Sequence, residues 1–221
     1  AYIDMEMALT KELAAMAEVD MSSLLVARPI NGEEAFEVIE SLSDKGYGLV
    51  VVDSVSALTP EDEIGADYDQ SSIGLQARLV SKAMRKIIGL IMRNNTAVVM
   101  INQVRDAVNK MGYGDPTTTS GGRALKFYSA LRIKMARTGW ITKGDEKIGM
   151  NIRAIIIKNK LSRPQMQTDL EFIFDKGFDV LSDRLNVLLS KGDITLVGRT
   201  YMIGDKKIGS KVEAMEYIKG I

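Results

Sequence analysis

Residues 48–58, GLVVVDSVSAL, constrain the fold of this chain most strongly. The four apolar residues Leu49 to Val52 run consecutively instead of alternating with polar ones, the pattern of a parallel-sheet strand covered on both faces. TAVVMINQ, residues 96–103, is a second such run and ends in the amides Asn102 and Gln103. A carboxylate at the end of a buried strand, as Asp53 is, requires a cation close by.

The spacing around these runs predicts a βαβ rhythm. Ala1 to Ile3 read as a strand, and Leu9, Leu13 and Met16 as one face of a helix ending near Val19. SLLVARP, 23–29, is a short strand, and Asn31 followed by Glu34 caps a helix through Ala35, Val38, Ile39 and Leu42 that ends at Gly46. A long polar connection, TPEDEIGADYDQSSIG, leads to a helix from about Ile73 to Arg93, on which Arg78, Lys82 and Arg85 share a stripe. Residues 104–120 are a second long loop, rich in Gly and Thr, and GGRALKFY restarts regular structure.

After residue 128 the pattern changes to hairpin strands (ALRIKMART, MNIRAIIIKNK, TDLEFIF) turning at KGD, 143–145, then a helix through Val180, Leu185 and Leu188 and a small strand-and-helix unit from about 194. The predicted fold is α/β: a doubly wound, mostly parallel sheet with a β-hairpin extension and the start of a small α+β C-terminal domain. The expected division is a core over 1–193 and a partial small domain over 194–221.

Composition narrows the chemistry. A length of 221 residues leaves room for one substantial core and an appendage, at roughly 150 residues per domain. With 46% hydrophobic and 26% charged residues, this is a folded globular chain. It has no Cys and no His, which excludes zinc ribbons, Ser-His-Asp triads and thiol nucleophiles, and leaves oxygen-bound hard cations such as magnesium. No signal peptide or long apolar run is present, so no membrane partner and a cytoplasmic setting are expected. The net charge of +0 conceals a split: residues 103–163 carry 13 Lys and Arg against 4 Asp and Glu. Gathered on one face, such a segment attracts a polyanion; on charge alone a solvated basic hairpin is the simpler account.

In a doubly wound sheet, ligands bind at the carboxyl ends of the strands, where Asp4 and Glu6, Asp53 and Ser54, and Asn102 and Gln103 line one crevice. Asp53 is placed to hold magnesium through water, the ion bridging nucleotide phosphates, or alternatively to cap the next helix. Glu6 suits a general base acting on a water, or a first-turn acid favoured by a helix dipole. Gln103 is able to sense a terminal phosphate. Both long loops leave the same sheet edge, and loops of that length tend to be functional or disordered. The second offers Arg105, Lys110, Tyr113 and TTTSGG, whose hydroxyls and amides suit phosphate oxygens, so that with the Arg85 stripe a single strand could lie across the loops.

Six blocks in order, AYIDMEMAL, LVVVDSVSALTP, GLQARLVSKAMRK, INQVR, GDPTTTSGGRALKFY and IKNKLSRP, give the chain a resemblance to the bacterial and phage RecA recombinases over nearly its whole length. The resemblance implies an ATP-dependent protein that forms helical filaments on single-stranded DNA and promotes pairing and strand exchange with homologous duplex DNA. It implies that Glu6 activates water, that Asp53 is the Walker B aspartate with Ser54 beside it, and that Gln103 couples the γ-phosphate to the second DNA loop. Lys158 and Lys160 match lysines reaching ATP from the adjacent subunit. Ile73, Ser81, Arg85, Arg105, Gly121, Gly122 and Arg123 match DNA-contacting positions, with Arg78 on the same stripe, and Tyr113 falls where the family often has an aromatic. Thr10 and Leu13 depart from the acid and tyrosine usual near the adenine, which Phe174 is a candidate to replace.

The larger departure is that no G-x-x-x-x-G-K-[ST] occurs in the 221 residues. The expectation is therefore a recombinase core completed by an N-terminal segment or chain carrying the Walker A loop, and nearly inert without it. A non-catalytic DNA-binding or filament-modulating module is the alternative. A hexameric helicase-type motor shares the sheet but would not be expected to share TTTSGGRALKFY.

Overall fold

A computed structural model describes residues 1–67, 74–106 and 117–220. The chain divides into two compact units, Ala1–Ser129 and Ala130–Ile221. The boundary expected at 193/194 falls inside the second unit.

The first unit runs β1 (Tyr2–Asp4), α1 (Lys11–Met16), β2 (Val26–Ala27), α2 (Gly32–Asp44), β3 (Leu49–Asp53), α3 (Glu61–Ile64), α4 (Leu75–Arg93), β4 (Ala97–Met100), β5 (Val104–Asp106), β6 (Thr117–Thr119) and α5 (Ala124–Tyr128). Strands β2-β1-β3-β4 form a parallel sheet in that order. The chain winds outward from β1 to β2 and then crosses back over β1 to β3 and β4, so the winding reverses between β1 and β3. Right-handed crossovers then place α2 and α4 together on one face and α1 on the other.

The core lies on the α2/α4 face. Ile3, Val50 and Val52 pack there with Ala35, Phe36, Ile39 and Leu42 of α2 and Val80, Ala83, Met84 and Ile87 of α4. Each fully buried aliphatic side chain contributes about 1.5–3 kcal/mol of burial free energy. Asn31 caps α2 by accepting the Glu34 N–H at 2.7 Å, while Glu34 Oε2 accepts from Ile30 N, one residue before the cap.

Several elements differ from the sequence expectation. Strand β3 is not covered evenly: Val50 and Val52 are buried, but Leu49 is 50% exposed, because alternate side chains face opposite ways and both long helices cross one face. The first helix stops at Met16, with Glu18 at φ 55, and the 23–29 strand shrinks to two residues between the Asp20 turn and Pro29. The polar connection after β3 holds the short α3, and α4 starts at Leu75 after Gly74 at φ 80. The 104–120 segment is not all loop. Its ends pair as an antiparallel ribbon, Arg105 opposite Thr118, since Val104 and the three threonines are β-branched and favour extended backbone.

The second unit contains β7 (Leu131–Lys143), β8 (Glu146–Asn159), β9 (Gln167–Ile173), β10 (Gly177–Phe178), α6 (Val180–Lys191), β11 (Thr195–Val197), β12 (Thr200–Ile203), β13 (Lys206–Gly209) and α7 (Lys211–Lys219). The long hairpin β7–β8 turns at Gly144 and extends into a four-stranded antiparallel sheet, β10-β9-β8-β7. Strands β11-β12-β13 form a small sheet, and Leu185 of α6 packs with Ile194, Ala214 and Ile218. Among the described residues no helix is long and apolar enough to cross a membrane.

Candidate functional site

The winding reversal brings the ends of β1 and β3 side by side, Asp4 opposite Asp53 in register. On this α1 face the Tyr2 hydroxyl donates to Asp53 Oδ2 at 2.5 Å. Burial, then the hydrogen bond and charge of Asp53, push the Tyr2 phenol above its ordinary range, so it remains a donor at physiological pH. The Asp53–Ser54 peptide is cis. The buried Ser54 hydroxyl donates to Glu6 Oε1, and Gln103 Nε2 donates to the same oxygen at 3.2 Å. Because the single Ser54 proton is used on Glu6, the Ser56 hydroxyl 2.6 Å away is the donor to Ser54. One carboxylate oxygen of the segment after β1 thus collects groups from the segments after β3 and β4.

Asp4 builds the turn that presents Glu6. Its carboxylate, 1% exposed, accepts from Ala8 N at 3.0 Å, Leu9 N at 3.3 Å and Arg28 Nε at 3.2 Å. Asp4→Ala removes the buried acceptor that ties Ala8 N, Leu9 N and Arg28 together and is expected to destabilise the chain by about 1–3 kcal/mol, measured by urea unfolding. Thr10 caps α1 by accepting the Leu13 N–H at 3.2 Å, which accounts for a threonine there.

A second cluster stands on α4 and α5. Arg78, Ser81, Arg85 and Arg123, with Ala77 and Ala124, line an open cleft of about 380 Å³. Arg85 Nη1 donates to Ser81 Oγ at 3.0 Å, which aims the guanidinium along the helix. Gly121 and Gly122 have φ of 80° and 71° and lie against the floor of the site: a Cβ on Gly121 would meet Val55 Cγ1 at 3.0 Å and one on Gly122 would meet Ala77 Cβ at 2.9 Å. Asn102 Nδ2 donates to Ser120 O at 2.9 Å, tying the end of β4 to the same segment. Arg105 is exposed on β5 and is not among the cleft residues. Ile73, Lys110 and Tyr113 lie outside the described residues.

Lys158 and Lys160 belong to the second unit, near the end of β8, where Lys158 is opposite Arg132 of β7. Burial, and then the charges of Lys160 and Arg132, lower the Lys158 pKa from the ordinary 10.5. The folded state therefore binds fewer protons than the unfolded chain between that lowered pKa and 10.5, so stability rises with pH across this window, and the cost is present in full below it. Lys160→Gln is expected to move the Lys158 titration toward higher pH, read from its Nζ chemical shift. Phe174 forms edge contacts with Trp140 and Phe172 in this unit, and Arg137 and Lys147 lie 4.2 and 4.6 Å from the Trp140 ring centre.

Sequence reasoning did not single out Tyr2, Arg28 or Gln76. The first two carry no local signal, since their partners are set by strand register. Gln76 sits in GLQARL directly beside the arginine stripe, but an amide in a helical first turn reads as solvated surface.

The donors around Asp53 and Glu6 are all oxygen or amide groups, the set that suits a hard cation held by one carboxylate, waters and phosphate oxygens. Among the described residues no three carboxylates converge into an all-protein cage. A family model described as the RecA N-terminal domain matches residues 1–179. The chain is 41% identical over 222 residues to the protein named Protein RecA of Thermus aquaticus, covering 99% of this chain and 65% of that protein. It is 39% identical to Protein RecA of Aquifex aeolicus, covering 99% and 64%. The chain thus spans just under two thirds of the length of these relatives. A solved structure titled as the RadB recombinase superposes with a TM-score of 0.54 at 21% identity over 80% of this chain and 76% of that one, a likeness of fold.

Proposed function

Because this chain belongs to the RecA family, we propose that it carries the hydrolytic and DNA-gripping parts of an ATP-dependent recombinase serving DNA recombination and repair. The carrying observation is the convergence of Ser54 and Gln103 on Glu6 Oε1 beside Asp53, in the same unit as the arginine-lined cleft. In this reading Glu6 accepts a proton from the attacking water, and Ser54 and Gln103 fix the carboxylate's direction. Asp53, oriented by Tyr2, would hold magnesium through water, and the ion would supply neutralisation of triphosphate charge there. Gln103 leads directly into β5, so a change in its contact with Glu6 is passed into the ribbon and the 117–123 segment. Arg78, Arg85 and Arg123 take the phosphates of a single strand, and Ser81, Gly121 and Gly122 bring hydroxyl and backbone close to it. Lys158 and Lys160 reach the ATP of a neighbouring copy in a helical filament, which pairs with homologous duplex DNA.

The phosphate-cradling loop comes from residues outside these 221. The unpaired edge of β4 supports this: among the described residues β4 pairs only with β3, and Val99 in the strand and Ile101 just after it are 48% and 41% exposed. A strand leading into that loop would add to this edge. The test is ATP hydrolysis, with and without single-stranded DNA, by the chain joined to a segment bearing the loop; no stimulated hydrolysis counts against the proposal.

The lack of a G-x-x-x-x-G-K-[ST] sequence favours one other reading, a non-catalytic DNA-binding module. That reading requires the single-strand affinity of the joined protein to be indifferent to ATP, which a binding titration with and without nucleotide decides.

A further inference from the structure

The Gln76 carboxamide, in the first turn of α4, is a meeting point of three segments. Its Nε2 donates to Val55 O at 2.9 Å and Leu58 O at 3.1 Å, with Ser56 O at 3.4 Å, and its Oε1 accepts the N–H of Gly121 at 3.3 Å. Both amide protons and one lone pair are therefore engaged within the protein. The turn it grips, Val55 to Leu58, begins one residue after Ser54, and Val55 N is itself bonded to Ile101 O at the end of β4. The residue it holds on the other side, the buried Gly121, is two before Arg123 of the cleft. The backbone passes so close to Val55 at Gly121 and to Ala77 at Gly122 that an added Cβ would meet them at 3.0 and 2.9 Å, which puts this segment directly against the turn and α4.

We propose that Gln76 is a positioning residue: its amide locks Gly121 to the turn that follows Asp53 and Ser54, so that movement of this turn resets Arg123 against Arg78 and Arg85. The inference deepens the reading given above and rests on the cleft being a single-strand surface. A helix-capping glutamine would satisfy only its own helix. Here all four contacts run to other segments, three of them to carbonyls of the turn.

The full chain is tested with a fluorescein-labelled oligothymidylate by anisotropy, and by hydrogen exchange of the peptides containing Gly121 and residues 55–58. Gln76→Met keeps length and volume while removing every polar contact. It is expected to speed exchange at Gly121 and to weaken oligonucleotide binding by about three- to tenfold, with cooperative unfolding retained. Gln76→Glu supplies a pH readout. Ionised, its carboxylate faces the turn's carbonyl oxygens with no proton to donate, and protonation restores one donor. Its affinity is expected to be low near about pH 8 and to recover relative to the native chain as pH falls toward about 5.5, a profile absent from Gln76→Met. Unchanged Gly121 exchange in Gln76→Met, or a Gln76→Glu profile parallel to the native one, overturns the role of Gln76 alone. A native chain that does not bind the oligonucleotide overturns the cleft reading, and the coupling with it.

Discussion

Glu6→Gln, in the chain joined to a segment carrying the phosphate loop, is expected to cut DNA-stimulated ATP hydrolysis by at least about 100-fold while single-strand binding persists. Glutamine is nearly isosteric and its side-chain oxygen still accepts from Ser54 and Gln103, so the site's geometry is retained. What it loses is basicity: an amide oxygen does not take a proton from water near neutral pH. The separation between lost hydrolysis and retained binding is what distinguishes a base from a structural acid. Residual hydrolysis within tenfold of the parent would remove Glu6 from the chemistry and leave it the first-turn role that the sequence also permits.

Arg85→Ala combined with Arg123→Ala is expected to weaken single-strand affinity by about 10- to 100-fold and to flatten its salt dependence. Each arginine that neutralises a phosphate contributes about 0.7 to the slope of log affinity on log salt for a single strand, so the pair should remove about 1.4. The two side chains come from α4 and from the start of α5, and their meeting depends on Gly121 and Gly122 packing on Val55 and Ala77. Lys82→Ala is the internal comparison. It lies on the same helix and is exposed, but is not among the cleft residues, and its loss should cost far less. Equal losses for Lys82 and Arg85 would mean a diffuse basic face rather than a site.

Much of this arrangement was readable from residue order, for identifiable physical reasons. The apolar run before Asp53 and the Asn31 cap are local signals, and both specify their elements directly. The mostly parallel α/β sheet followed from the alternation of strand and helix, and the six motif blocks carried the family. Uneven burial of β3 was not legible, because Leu49 and Val50 look alike until the positions of α2 and α4 are known. The Thr-rich end of the second loop gave no sign of its partner Val104–Asp106, since ribbon pairing depends on residues a dozen positions away. The same holds for the Tyr2–Asp53 bond and the grip of Gln76, which are products of register and of three segments converging. Chain-order reasoning found the ends of the strands; the cross-links between them required three dimensions.

The bare side of β4 has a consequence for handling the protein. Among the described residues the outer ladder of β4 has no partner, and such an edge, with Val99 and the following Ile101 half-exposed, does not discriminate between a completing strand and the same strand of a second molecule. Whatever caps it therefore also serves as the solubility device of this chain, and crowding without that cap favours edge-to-edge self-association over any ordered polymer on DNA.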